Sequence, residues 1–246
     1  MDHISLPIAL APAAELPITE TFTSIQGEGK LAGVPSFFVR FGGCNLRCAW
    51  CDTPYSSWKP EFTRWSREEL LRAAADSGVG HVVVTGGEPF LSPALPWLCA
   101  ELRRRGMHVT IETAGTLWRQ VECDLMSISP KLSNSTPRND PRDPRGVWAA
   151  RHEAARLRPH LISRLAAAGA DRQLKFVVCG PEDLVELDAL LAQVGPIRPS
   201  DVLLMPEGVD RPSAESRRWI AGACVARGWR YCPRLHIELY GNTRGT

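Results

Sequence analysis

Residues 81–89 read His-Val-Val-Val-Thr-Gly-Gly-Glu-Pro, a β-branched apolar run that stops at a glycine pair and a proline. A run of this kind suits a strand buried on both faces, because a half-exposed strand alternates apolar with polar residues. Outward from it the pattern recurs. Ser36–Phe41 (SFFVRF), Met107–Glu112 (MHVTIE), Asp124–Ser129 (DLMSIS), Gln173–Val178 (QLKFVV) and Asp201–Met205 (DVLLM) bring the predicted strands to six. Helical stretches separate them. Ser66-Arg67-Glu68-Glu69 is a capping box that opens Leu70–Ala75, and Ser92-Pro93 reads as an N-cap with proline at the first helical position. Pro181-Glu182-Asp183 opens a helix to Gln193, and Ser213 caps one that runs to Gly228. Repeated strand–helix units predict an α/β fold with parallel strands joined by right-handed crossovers, in an open doubly wound sheet or a full or partial barrel. In each of these the chemistry belongs at the carboxyl ends of the strands. The polar and glycine-rich segments Gly42-Gly43-Cys44, Gly86-Gly87-Glu88-Pro89, Thr113-Ala114-Gly115 and Pro130-Lys131 all fall there.

The chain of 246 residues, 44% apolar and 23% charged, is long enough to bury one sizeable core, which excludes a disordered or collagen-like protein and a multi-domain scaffold. One domain over residues 1–246 is expected. Lys and Arg exceed Asp and Glu by 29 to 27, so the whole-chain field attracts neither nucleic acid nor membrane, and a partner has to be argued from a site. Only Lys30, Lys59, Lys131 and Lys175 are lysines; the other 25 basic residues are arginines. No segment approaches the roughly 20 apolar residues that span a bilayer, and Met1–Pro17 lacks a basic-then-apolar signal pattern, which predicts a cytoplasmic protein. Ser133–Arg145 is a proline- and arginine-rich loop, and Trp148–Leu165 is an arginine-studded helix interrupted near Pro159. The insertion near 133–150 reads as a solvated excursion, with a lid or a partner surface as the alternatives.

Eight cysteines are too few for a secreted disulfide scaffold, and three of them crowd together as Cys44-x3-Cys48-x2-Cys51 after a predicted strand. Cys99, Cys123, Cys179, Cys224 and Cys232 read as scattered buried thiols. Structural zinc takes four ligands, often as two pairs, and no second Cys-x2-Cys is present. A cubane [4Fe-4S] cluster held by three thiolates keeps one iron free of protein, able to chelate a small molecule and pass it an electron. Gly42 and Gly43 let the backbone bend toward the cluster, and Trp50 offers an aromatic face to a ligand of the open iron.

The triple-cysteine spacing resembles that of the radical S-adenosylmethionine (SAM) superfamily, and Thr85-Gly86-Gly87-Glu88-Pro89 resembles the superfamily's glycine-rich motif. The resemblance implies a partial (β/α)6 barrel with short N- and C-terminal extensions, a [4Fe-4S] cluster, and SAM chelated to the open iron. Gln26-Gly27-Glu28-Gly29, Arg40, Cys51-Asp52-Thr53, Ser129-Pro130-Lys131 and the tail Arg234-Leu235-His236 with Gly241-Asn242 are together similar to the 7-carboxy-7-deazaguanine synthase family. That family contracts 6-carboxy-5,6,7,8-tetrahydropterin with loss of ammonia, on the route to queuosine and other deazapurines. The likeness further implies a homodimer and an electron from a flavodoxin or ferredoxin, with no nucleic-acid or membrane partner.

The motifs also carry physical readings. A pterin presents a guanidine-like edge, which the Glu28 carboxylate and the Gln26 amide can meet while Gly27 and Gly29 allow a tight loop; a plain glycine-rich turn is the alternative. Arg40 in an apolar strand demands a partner, either a substrate carboxylate or a structural ion pair. By resemblance Thr53 coordinates Mg²⁺ with substrate oxygens, Thr85 borders the substrate, Trp50, Gly87 and Glu112 hold the cofactor, and Ser129, Pro130 and Lys131 reach its ribose or carboxylate. Ala114 stands where the family commonly has asparagine. Lys175 reads as a paired structural charge. His236 and the terminal carboxylate of Thr246 are further candidates for substrate contact. Two other functions share parts of the pattern: a glycyl-radical activase, and a metal-stabilised RNA-binding module built on the arginine-rich 138–172 region.

Overall fold

The computed structural model describes residues 15–246, so most of the Met1–Pro17 stretch lies outside the described residues. Among the described residues nine strands form one sheet: β1 (Leu16–Ile25), β2 (Pro35–Phe41), β3 (Thr63–Trp65), β4 (His81–Gly86), β5 (His108–Thr113), β6 (Leu125–Ile128), β7 (Asp171–Val178), β8 (Val202–Pro206) and β9 (Arg230–Tyr231). Their order is β3-β1-β2-β4-β5-β6-β7-β8-β9. From β2 to β9 every pairing is parallel, while β1 runs antiparallel to both β2 and β3. The parallel strands follow one another in chain order without a reversal, so the sheet has no switch point and the doubly wound alternative falls away. The architecture is a partial barrel with two open edges. All six predicted strands are present. β1, β3 and β9 are additional.

Helices α1 (Pro54–Ser57), α2 (Arg67–Asp76), α3 (Leu95–Arg104), α4 (Val147–Ala155), α5 (Pro159–Ala166), α6 (Asp183–Val194), α7 (Ala214–Arg227) and α8 (Leu235–Tyr240) complete the fold. The capping box closes in both directions at α2: Glu69 N–H donates to Ser66 Oγ at 3.2 Å, and Ser66 N–H donates to Glu69 Oε2 at 2.7 Å. Ser213 Oγ accepts from Ser216 N at 3.0 Å, and Gly228 ends α7 with φ of 67°. Ser92 is not the cap of α3. The amides of Leu91 and Ser92 first close a 3₁₀ turn onto Glu88 and Pro89, so the α-helix begins only at Leu95, with Ala94 before it.

Although several strands read as continuous apolar runs, their two faces have separate jobs. Val39, Val84, Ile111, Met126, Phe176 and Leu204 point toward the helices and share one core with Leu70, Leu98, Leu165, Leu187 and Ile220. Arg40, Thr85, Glu112, Ser127, Lys175 and Met205 alternate with them and line a cavity on the opposite face.

His81 sits inside the sheet, its Nδ1 2.7 Å from Ser36 Oγ and its Nε2 2.8 Å from Thr110 Oγ1. Burial, helped by the His108 ring edge-on at 5.0 Å, lowers its pKa to about 4. The folded pKa lies below the unfolded one, so stability is full above about pH 6.5 and falls as the pH drops toward 4. In His81→Gln, urea midpoints measured across this window should show a shallower acid limb, by up to about 1.4 kcal/mol per pH unit.

Candidate functional site

The cavity, about 410 Å³, opens at the carboxyl ends of the parallel strands. Its volume falls in the range of small-molecule sites. Cys44, Cys48 and Cys51 form one wall, on the loop between β2 and α1. Leu46 N–H donates to Cys44 Sγ at 3.4 Å, and Cys51 Sγ lies 3.2 Å from Ser57 Oγ and 3.9 Å from Thr53 Oγ1. Burial pushes the Cys44 thiol up to about 12 and raises Cys48 as well, so thiolates form there only when a cation compensates them. Arg47, on the same loop, donates through Nη1 to Cys44 O at 2.7 Å and keeps a buried Nε with no hydrogen-bond partner among the described residues. An orphaned cationic donor beside three thiols fits a group that carries negative charge when bound. No three His, Cys, Asp or Glu side chains among the described residues converge on a single ion, whereas a four-iron cluster takes each sulfur on a different iron.

The rest of the loop is tightly held. Ala49 N–H donates to Ser135 O at 2.8 Å, Arg47 N–H to His152 Nδ1 at 3.1 Å, and Trp50 Nε1 to Asn134 O at 3.1 Å. His152 Nε2 lies 2.9 Å from Ser135 Oγ, and Trp58 Nε1 donates to Cys48 O at 3.0 Å. The 133–150 segment is therefore a bracket for the cysteine loop, because its backbone and side chains satisfy polar groups the loop cannot pair by itself. The glycine-rich motif packs on the loop's other side. Gly87 N–H donates to Phe41 O at 3.0 Å and Glu88 N–H to Gly43 O at 2.9 Å. Gly86, with φ of 141°, and Gly87 approach so closely that the nearest backbone atoms belong to Phe41 and Gly43. The buried Glu88 faces away from the cavity, accepting from Thr113 Oγ1, Phe90 N and Ala114 N.

The same cavity is lined by a network of charges. Glu28 pairs with Lys175 and, at 3.3 Å, with Arg234, which also pairs with Asp52. Lys175 lies 4.0 Å from Glu112, which accepts from Gln26 Nε2 at 3.3 Å and Thr85 Oγ1 at 3.0 Å. The two cations hold Glu28 far below the ordinary carboxylate range despite its burial, and Glu28 with Glu112 raises Lys175. His236 packs against Gly27, where a Cβ would collide with the imidazole; burial lowers its pKa and favours the neutral ring. Arg40 resolves its two readings in combination. Its Nε donates to Glu20 at 2.7 Å as a structural pair, yet the side chain lines the cavity. Tyr55 OH and Arg244 also bind Glu20, at 3.0 and 2.9 Å, and Arg244 reaches Glu61 at 3.2 Å, which brings the tail 242–246 into the cavity wall.

Of the residues selected from sequence, Gln26, Glu28, Arg40, Trp50, Thr53, Thr85, Gly87, Glu112, Ser129, Lys131, His236 and Thr246 line the cavity with the three cysteines. Gly27 stands behind His236, and Pro130 is outside the lining. Lys131 donates to Ser129 Oγ at 2.8 Å and lies 5.5 Å from the centre of the Trp50 ring. Lys175 belongs to the site as well as being paired, because its strand position turns it inward. Tyr55 and Ser127 were passed over as site residues, and Asp52 and Arg234 were noted only as parts of motifs. Cys179 is exposed rather than buried, since it follows the last inward turn of β7; Cys99, Cys123, Cys224 and Cys232 are buried as expected.

A family model for the radical SAM superfamily matches residues 38–157. The 7-carboxy-7-deazaguanine synthase of Rhodopirellula baltica is 46% identical over 240 residues, covering 97% of this chain and 91% of its own. That of Halobacterium salinarum is 44% identical, covering 94% and 93%. Among solved structures, the crystal structure of QueE from Escherichia coli superimposes with a TM-score of 0.67 at 30% identity, over 90% of this chain and 95% of that one. Identity at this level across nearly the full length of both chains, on a barrel that carries the three-cysteine loop, means that the protein belongs to the 7-carboxy-7-deazaguanine synthase family of radical SAM enzymes.

Proposed function

We propose that the protein contracts the ring of 6-carboxy-5,6,7,8-tetrahydropterin to 7-carboxy-7-deazaguanine with release of ammonia, in queuosine or related deazapurine biosynthesis. The observation that carries this reading is that three thiols and a carboxylate–cation network line one cavity. When bound, the [4Fe-4S] cluster and SAM would supply one-electron, hydrogen-atom-transfer chemistry at C6 of the substrate. Cys44, Cys48 and Cys51 would hold the cluster. Trp50, Gly87, Glu112, Ser129 and Lys131 would seat SAM, with Lys131 meeting its carboxylate and Glu112 accepting from its polar hydrogens.

Gln26 and Glu28 would meet the donor edge of the pterin. Each Glu28 oxygen already accepts from one cation and retains acceptor capacity. The terminal nitrogens of Arg40, whose Nε Glu20 fixes, would grip the substrate carboxylate as a preorganised fork. Thr85, a neutral His236 and the tail at Thr246 would complete the enclosure and keep water from the reacting carbon. Thr53 Oγ1, beside Cys51 at the cavity wall, would hold Mg²⁺ together with substrate oxygens, and the ion would orient the substrate and stabilise negative charge. In the same reading the chain is one domain working as a cytoplasmic homodimer, with a flavodoxin or ferredoxin as donor; among the described residues no helix is long and apolar enough to cross a membrane.

The test is anaerobic incubation of reconstituted protein with SAM, a reductant, Mg²⁺ and the carboxytetrahydropterin, followed by mass spectrometry. Deazaguanine acid and ammonia in equal amounts support the proposal; deoxyadenosine without either product refutes it. In Thr53→Ala, turnover should fall about tenfold or more while iron content stays at the wild-type level, and Thr53→Ser should recover most of it. Equal loss of turnover and iron would remove Thr53 from its proposed role.

A further inference from the structure

The arginine-rich segment that brackets the cysteine loop has an outer face that none of the chemistry above uses. Between Ser133 and Arg158 there are six arginines against three acidic residues. Arg138, Arg142 and Arg156 are paired with Asp140, Glu153 and Glu186, whereas Arg145, Arg151 and Arg158 are exposed with no ion pair among the described residues. Two of the segment's arginines, Arg142 and Arg151, are tied to the cysteine loop through aromatic rings. Arg142 lies 4.0 Å from the centre of Trp58, whose indole N–H bonds Cys48 O, and its Nη2 donates to Ala49 O at 2.9 Å. Arg47 and Arg151 flank Trp148 at 4.1 and 5.2 Å. One aromatic ring thus separates a solvent-facing guanidinium from the backbone of a cluster cysteine.

We propose that this face, centred on Arg142 and Arg151 with Trp58 and Trp148 beneath them and flanked by the exposed Arg145, is the docking surface for a small acidic one-electron carrier protein. The proposal rests on the radical SAM reading of the cysteine loop. One electron leaves the reduced flavin or iron–sulfur centre of the carrier, which is oxidised by one unit, and enters the cluster, reduced from 2+ to 1+; no bond or proton moves between the proteins. Complementary charge raises the encounter rate and fixes orientation, and redox encounters use small interfaces that a local patch can supply. A nucleic acid would call for cations spread along a phosphate track. Here half of the segment's arginines are neutralised internally, and of the exposed ones Arg151 shares the Trp148 ring with Arg47 of the cysteine loop while Arg145 stands three residues from Trp148 in the chain.

The experiment is stopped-flow reduction of the reconstituted cluster, read as bleaching of its absorbance before any pterin is added, so that failure of the turnover assay leaves the result interpretable. The donors are a flavodoxin hydroquinone of strongly negative net charge and photoreduced 5-deazariboflavin, a small neutral reductant. In Arg145→Glu/Arg151→Glu, the bimolecular rate with flavodoxin should fall about tenfold or more at low salt. The wild-type rate should drop steeply between about 50 and 300 mM NaCl, and that of the variant should stay nearly flat. With deazariboflavin the two proteins should agree within about twofold, as expected when only encounter with a charged partner is altered. The inference is overturned if the flavodoxin rate is unchanged in the variant or if deazariboflavin reduction falls equally. It is also overturned if the substitutions abolish binding of an RNA duplex while leaving flavodoxin reduction intact.

Discussion

Gly87→Ala protein, purified anaerobically, is expected to lose most of its iron and about 3–5 kcal/mol of stability, through backbone clash and lost loop hydrogen bonds. The added Cβ would stand inside the contact radius of Gly43 O and 2.8 Å from Ser56 O. Both are main-chain atoms and cannot rotate aside. The end of β4 must then withdraw from the cysteine loop and give up the bonds from Gly87 N to Phe41 O, 3.0 Å, and from Glu88 N to Gly43 O, 2.9 Å. Gly80→Ala is the matched control, because nothing lies within 4 Å of its Cβ position and its backbone is not left-handed. Urea midpoints and iron analysis of the two variants separate them. If Gly87→Ala retained full iron content, the glycine pair would be no more than a turn.

The second large effect belongs to Lys175. It is 6% exposed and supplies the inner partner of Glu28, so Lys175→Met leaves a buried carboxylate with only Arg234 at 3.3 Å. Breaking one side of a buried pair costs about 3–5 kcal/mol, largely because the remaining charge is stranded. Turnover should fall about a hundredfold or more as Glu28 protonates or turns from the pterin edge. The double variant Glu28→Gln/Lys175→Met should regain most of the stability and none of the activity. Recovery of both would reduce the pair to scaffolding, and recovery of neither would place the damage elsewhere in the barrel.

The strands that build the barrel were legible because each is a concentrated apolar run, and the active edge was legible because glycine and polar residues follow those runs. β1 was missed for a physical reason. Its sequence, LPITETFTSI, is half polar, and only the two-residue spacing of Thr19, Thr21, Thr23 and Ile25 betrays extended structure, which pairing with β2 completes. β3 and β9, three and two residues long, have no period to read. The cavity-facing side chains of the six strands could be assigned from alternation once one of them was fixed, which is how Lys175 declares itself beside Glu112 and Ser127. The bracket around the cysteine loop was opaque. Its contacts from Ser135 and His152 to Ala49 and Arg47 join residues about a hundred positions apart, and a proline- and arginine-rich composition alone describes a solvated loop equally well.

The most direct test of the account is electron paramagnetic resonance of the reduced, reconstituted protein with and without SAM labelled with ¹⁷O in its carboxylate. Three protein thiolates predict a cubane signal that shifts when SAM is added and broadens with the label. A spectrum indifferent to SAM, or protein that takes up zinc in place of iron and sulfide under the same conditions, would contradict it.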